Sequence, residues 1–151
     1  MAQVGEILLV EDDPHDVELT LTALTENHLT NEIVVVRDGA EALDYLLQRG
    51  AYASREAGNP AVILLDLKLP KVDGLEVLKR VKSDPDLKTI PVVMLTSSRE
   101  ERDLAESYDS GSNAYVVKPV GFGEFVEAVR ELGLFWAVIN QPPPGSSGGP
   151  T

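Results

Sequence analysis

Val62-Ile63-Leu64-Leu65-Asp66-Leu67-Lys68-Leu69-Pro70 decides how this chain folds. Four consecutive apolar residues run straight into a single carboxylate. Both faces of such a run call for burial, which is the mark of a central strand in a parallel sheet. Pro70, Asp73 and Gly74 then force an irregular turn. Asp66 is thereby set at the carboxyl end of a buried strand, where open α/β sheets gather their functional groups.

Working outward, four similar apolar runs flank this one: Gly5 to Val10, Ile33 to Val36, Pro91 to Leu95, and Ala114 to Val117. Helical patterns alternate with them. Pro14 suits a first helical position, with Asp13 as N-cap and Asp16 in the first turn; Val17, Leu21 and Leu24 then recur at helical spacing to about Asn27. Gly39 to Gln48 reads as a second helix stopped by Gly50, and a polar connector from Arg49 to Pro60 is longer than usual between such elements. A third helix, from about Gly74 to Lys82, presents Leu75, Leu78 and Val81 and is broken by Asp84-Pro85-Asp86. The fourth, about Glu100 to Ser110, has only Leu104, Ala105 and Tyr108 to pack, so it is expected to be the least stable and the easiest to move. Ser98 and Glu101 have the spacing of a capping box for it. The last runs from about Phe122 to about Val138, with Phe122, Phe125, Val126, Val129 and Leu132 in one stripe. Gln141 to Thr151 is rich in Pro, Gly and Ser and is expected to be disordered.

Strands alternating with helices imply right-handed crossovers and a doubly wound parallel sheet covered on both faces, an α/β fold. The expected organisation is one domain over residues 5–139 and a tail over 140–151. With 151 residues, the chain suffices for one proper core. Acidic residues outnumber basic ones by 25 to 13, a formal charge of −12, which argues against binding nucleic acid or anionic membranes. The chain has no cysteine, which removes disulfides, thiolate catalysis and Cys-based metal sites. No signal peptide or membrane-length apolar run is legible, so the expected location is the cytoplasm.

The strand ends carry the chemistry. Glu11 and Asp12 follow the first run, Asp66 the third, Thr96 the fourth and Lys118 the fifth. If strand order reverses beside the first strand, these ends border one crevice. Glu11, Asp12 and Asp66 would then bring about three negative charges together, which is costly without a cation. Hard oxygen ligands suit Mg²⁺, and a carboxylate can act as nucleophile toward a phosphoryl group. Lys118 can pair with phosphoryl oxygens as a point charge, and the Thr96 hydroxyl can donate to another. Each residue also has a plainer role. Asp13 fits an N-cap better than a ligand, Asp66 could cap its own turn, Thr96 could merely end a strand, and Lys118 could be a surface lysine. The sequence leaves the Lys118-Pro119 bond open between trans and cis. The conjunction at the strand ends favours a phosphoryl-accepting site.

The motifs Ile7-Leu8-Leu9-Val10-Glu11-Asp12-Asp13, Leu64-Leu65-Asp66-Leu67-Lys68-Leu69-Pro70 with Asp73-Gly74, Pro91-Val92-Val93-Met94-Leu95-Thr96, and Tyr115-Val116-Val117-Lys118-Pro119 occur in this order. Together they resemble the receiver domain of two-component response regulators, over about residues 5 to 139. The resemblance implies a flavodoxin-like sheet of order 2-1-3-4-5 with five helices. It implies Asp66 as phosphoacceptor for a sensor histidine kinase, Glu11 and Asp12 as the acidic Mg²⁺ pair, and the Lys68 carbonyl as a further metal ligand. Thr96 and Lys118 would contact the phosphoryl group, and Tyr115 takes the aromatic switch position. Glu11 stands where many receivers have Asp. With no output domain following, a stand-alone receiver is expected, a phosphoacceptor with at most slow autodephosphorylation rather than an enzyme.

Arg49-Gly50-Ala51-Tyr52, Val117-Lys118-Pro119-Val120 and Gly133-Leu134-Phe135-Trp136 further resemble response regulators paired with bacterial and cyanobacterial phytochromes. That resemblance implies a phytochrome kinase as partner and a homodimer through the fourth- and fifth-helix face, with Leu134, Phe135, Trp136 and Val138 at the interface. A dehalogenase-like phosphohydrolase would want a second Asp two residues after the nucleophile, where this chain has Lys68. A flavin module would want a phosphate-cradling loop where Glu11-Asp12-Asp13 stands. A pseudo-receiver that signals without phosphorylation is disfavoured because every site residue is present.

Overall fold

The computed structural model describes residues 5–26, 31–55, 58–107 and 113–133. Their elements follow in the order β1 (Ile7–Val10), α1 (Pro14–Thr25), β2 (Ile33–Val36), α2 (Gly39–Leu47), a 3₁₀ turn (Gly50–Tyr52), β3 (Val62–Asp66), α3 (Gly74–Ser83), β4 (Val92–Thr96), α4 (Arg99–Ser107), β5 (Ala114–Val117) and α5 (Phe122–Glu131). The strands form one parallel sheet in the order β2-β1-β3-β4-β5. Chain order reverses at β1, so β1 and β3 are neighbours and their carboxyl ends border the same crevice.

Alternation along each strand divides the interior into two cores. Leu8, Val10, Ile63, Leu65, Val92 and Met94 face α2 and α3, meeting Leu43, Leu46, Val77 and Val81. Ile7, Leu9, Val62, Leu64, Val93 and Leu95 face the other way, onto Val17 and Leu24 of α1 and Phe125 and Val129 of α5. A period of two thus sends neighbouring residues to opposite cores, which is why β1, β3 and β4 read as unbroken apolar runs.

Local rules explain most boundaries. Asp13 is the N-cap of α1, accepting from the backbone N–H groups of His15 (2.8 Å) and Asp16 (3.2 Å). Asp38 caps α2 through the Glu41 N–H at 2.7 Å. Gly39 lies so close to the loop after β3 that a Cβ there would collide with the Val72 carbonyl. The Gly39 N–H also donates to the Pro70 carbonyl at 3.4 Å, and Lys71 pairs with Asp38 at 3.6 Å. The loop after Asp66 is therefore seated on the start of α2.

Three expectations change. Leu104 does not pack: it is 61% exposed, and only Ala105 turns inward. The two are adjacent and hence about 100° apart around the helix, so a short helix that buries one exposes the other. Tyr108 lies outside the described residues. The capping box at α4 is displaced by one residue, because Ser98 Oγ accepts from the Glu101 N–H while the Glu101 carboxylate returns to Ser97 rather than Ser98. α5 closes at Glu131, seven residues short of Val138, with Leu132 as C-cap and Gly133 at φ +75°, the usual way a glycine ends a helix. The connector after α2 is more ordered than its polar composition suggests. Tyr52 donates to Glu41 at 2.6 Å, its ring meets Tyr45 edge-on at 5.0 Å, and the Arg55 guanidinium lies 4.1 Å from the Tyr45 ring centre. The expected interface residues Leu134, Phe135, Trp136 and Val138 and the expected tail over 140–151 lie outside the described residues.

Candidate functional site

The carboxyl edge of the sheet brings Glu11, Asp12, Asp66, Lys68 and Lys118 into one cleft of about 220 Å³, together with Asp13, Asp16, Ser97 and Glu101. Backbone bonds fix the bearing positions. The Glu11 N–H donates to Val36 (3.0 Å), Leu67 to Leu95 (2.9 Å) and Lys118 to Thr96 (2.7 Å). Each site residue thus stands on a strand end tied to its neighbour. The Lys118-Pro119 bond is cis.

Asp66 is buried, with one oxygen at each of two donors. Its Oδ1 accepts from the Lys68 N–H at 3.3 Å, and its Oδ2 from Lys118 Nζ at 3.0 Å. The same ammonium lies 3.1 Å from Glu11 Oε1 and 3.1 Å from Asp16 Oδ2. One lysine therefore serves three carboxylates. Burial lowers the basicity of Lys118, but the hydrogen bond and charge of Asp66, followed by Asp16 and Glu11, outweigh it and hold the ammonium above the usual lysine range. Glu11 is affected in the opposite sense. Burial first, and Asp66 second, push its carboxyl up to about 7, against the pull of the Asp13 N–H and Lys118.

One oxygen each from Glu11, Asp12 and Asp66 lies within 4.8 Å of the other two. Glu11 and Asp66 are buried while Asp12 is exposed, which leaves the cluster open to solvent on one side. The donors are all hard oxygens, and a single ammonium does not balance them. Such a set fits a divalent cation that keeps part of its water shell.

Thr96 ends β4 with its side chain fully buried, and among the described residues its Oγ1 has no hydrogen-bond partner. An unpaired buried hydroxyl costs on the order of 1–3 kcal/mol. Thr96 pairs in register with Val117, and Met94 with Tyr115. Thr96 and Tyr115 therefore share a face of the sheet, and the half-buried Tyr115 packs against the same core as Met94.

The response regulator receiver domain model matches residues 7–130. The chain belongs to this family. The receiver is 42% identical to "Response regulator Rcp1" of Synechocystis sp. over 130 residues, which is 86% of this chain and 87% of that relative. Among solved structures it is similar to that of the bacteriophytochrome response regulator AtBRR, with 62% identity, a TM-score of 0.87, and 92% of this chain and 99% of that one covered. It is similar as well to the phosphorylated cyanobacterial phytochrome response regulator RcpA, with 46% identity, a TM-score of 0.70, and coverage of 89% and 94%. The receiver is thus related to phytochrome response regulators. No helix among its described residues is long and apolar enough to cross a membrane.

Two participants escaped the sequence reading. Asp16 reads as a helix-dipole residue, yet it reaches Lys118, 102 positions away, because one turn of α1 carries it over the end of β5. Glu101 reads as half of a capping box, yet it lines the cleft and pairs with Lys68 at 3.3 Å. The contact of Glu101 with Lys68 has no local signature. The acidic residue at i+3 of a helix that starts beside a strand end was the signal available for Asp16.

Proposed function

We propose that Asp66 accepts a phosphoryl group from a phosphohistidine on a sensor histidine kinase, a phytochrome. The observation that carries this reading is the Asp66 carboxylate itself, buried at a strand end between a backbone N–H and an ammonium, with Glu11 and Asp12 beside it. An Asp66 oxygen attacks phosphorus as the phosphorus–nitrogen bond to the donor imidazole breaks, and the electron pair leaves with the nitrogen. Glu11, Asp12 and Asp66 would hold Mg²⁺, together with the Lys68 carbonyl. The cation, when bound, supplies positive charge for the oxygens of the transferring group.

Lys118 is already at Asp66 Oδ2, and its ammonium turns to the phosphoryl oxygens once the carboxylate becomes an acyl phosphate. Thr96 brings the hydroxyl that lacks a partner at rest. Donating it to a phosphoryl oxygen removes the cost of leaving it unpaired, which gives the new group a differential interaction with two positions of the β4–α4 loop. Tyr115, on the same face, follows Thr96 inward. The relatedness to phytochrome response regulators supports the choice of kinase. A phosphohydrolase reading gains nothing from Lys68, whose ammonium is drawn away to Glu101.

Acetyl phosphate with Mg²⁺ should add one phosphoryl mass at Asp66, and Asp66→Asn should abolish it. Labelling that persists in Asp66→Asn, or that is independent of Mg²⁺, would remove the mechanism. For output, the α4–β5–α5 face carries Arg99, Arg102 and Glu106 from α4, with Arg102 and Glu106 paired at 3.6 Å, and Glu124, Glu127 and Glu131 from α5. A two-fold pairing of this face would set Arg99 and Arg102 against the acidic groups of α5, which supports a homodimer, and the sequence adds Leu134, Phe135, Trp136 and Val138 as proposed interface residues. Trp136→Ala should lower the mass found by light scattering from dimer to monomer; an unchanged mass would exclude these side chains from the interface.

A further inference from the structure

The Glu101 carboxylate spans the loop that separates Thr96 from α4. Its Oε1 accepts from the Ser97 N–H at 2.7 Å and from Ser97 Oγ at 3.2 Å, while its Oε2 lies 3.3 Å from Lys68 Nζ. Its own N–H donates to Ser98 Oγ at 3.1 Å. Glu101 is therefore bonded to both residues that follow Thr96, and to the loop after Asp66 as well. A carboxylate accepting a short bond from a backbone N–H is among the stronger protein hydrogen bonds. Lys68 adds little, because its side chain is 79% exposed and such pairs are weak.

From this we infer that Glu101 is a positioning residue. It holds Ser97, and through it Thr96, in the resting arrangement with the Thr96 hydroxyl unpaired. The inference rests on the phosphoacceptor reading above. Loading Asp66 draws the Thr96 hydroxyl toward the phosphoryl oxygens, and the Ser97 N–H must then leave Glu101. The carboxylate opposes the switch by favouring the resting loop, so it sets how much of the binding interaction at Asp66 is spent on moving the loop. Removing it lowers that cost and leaves in place the Lys68 N–H and the Lys118 ammonium that bond Asp66.

Beryllofluoride, which stands in for the phosphoryl group on a carboxylate, provides the test. With saturating Mg²⁺, Glu101→Ala should bind it about 10- to 100-fold more tightly than the wild-type chain by calorimetry, the range expected for losing one charge-assisted bond that exists only at rest. Mg²⁺ affinity without beryllofluoride should not rise, because the variant takes a carboxylate out of the cleft. A general loosening of the fold would weaken both ligands together. Equal or weaker beryllofluoride binding, or a gain accompanied by tighter Mg²⁺ binding, would overturn the inference. In a Lys68→Met background the gain should persist; its disappearance would assign the effect to a released lysine and overturn the role of the loop. Wild-type protein that binds no beryllofluoride, while Asp66→Asn behaves identically, would instead remove the phosphoacceptor reading.

Discussion

At the scale of single residues, Lys118 is the point on which the resting site depends. Three carboxylates share its ammonium, and it is largely shielded from water. Lys118→Met leaves them facing one another, so in EDTA it should lower stability by about 2 kcal/mol, the worth of bonds to a charged group. A divalent cation binds the variant more strongly, since its competitor is gone. In saturating Mg²⁺ the stability difference between the two chains should therefore shrink, and equal differences in both solutions would count against the shared-counterion role. Glu11 gives a pH signature. Its carboxyl is raised in the folded chain to about 7 from an ordinary 4.5, so folding takes up protons between these values. The stability it confers is complete below about pH 4.5 and is lost as pH rises through about 7. Between pH 5 and pH 8 in EDTA, the wild-type chain should lose on the order of 1–2 kcal/mol relative to Glu11→Gln. Thermal unfolding of both proteins at the two pH values measures this directly. The convergence of Glu11, Asp12, Asp66 and Lys118 was legible in the sequence because a parallel sheet sends its strand ends to one edge. The places of Asp16 and Glu101 were not, because their contacts to Lys118 and Lys68 depend on where the first turns of α1 and α4 come to rest beside other strand ends.

At the scale of elements, apolar runs and helix caps gave the order of strands and helices. Burial on both faces makes β1, β3 and β4 plain, and Asp13 announces α1. The failures lie at helix ends and in the connector. Gly133 stops α5 early although the apolar stripe invites continuation, and the aromatic pair Tyr45 and Tyr52 orders a stretch whose composition reads as loop. Phe125 is the clearest test of the α5 core, being fully enclosed against the face of the sheet that includes Leu9 and Leu95. Phe125→Ala should cost about 3–5 kcal/mol in urea unfolding, as emptied aromatic sites do. Gly39→Ala tests the seat of the loop after Asp66. The added methyl meets the Val72 carbonyl, so the loop must shift, and phosphorylation at Asp66 should slow although no site residue changes. An unaltered labelling rate would show that the loop after β3 is positioned by other contacts.

At the scale of the whole molecule, the formal charge of −12 is concentrated further by six carboxylates in a cleft with two lysines. A phosphoryl group adds to the same sign, so the switch is driven by charge that the surrounding protein already resists. What keeps the frame intact is the row of backbone bonds at the strand ends, including Leu67 to Leu95 and Lys118 to Thr96. Their amides should exchange with solvent deuterium only through global opening, whereas the Ser97 amide, held by a side chain on an exposed loop, should exchange far sooner. The contrast separates two clocks. Side chains and a short loop can answer a new charge within nanoseconds to microseconds, while the sheet that carries the charge keeps its shape until the molecule unfolds. The duration of the signal is then governed by the chemical lifetime of the bond to Asp66, and the fold adds no delay of its own at either end.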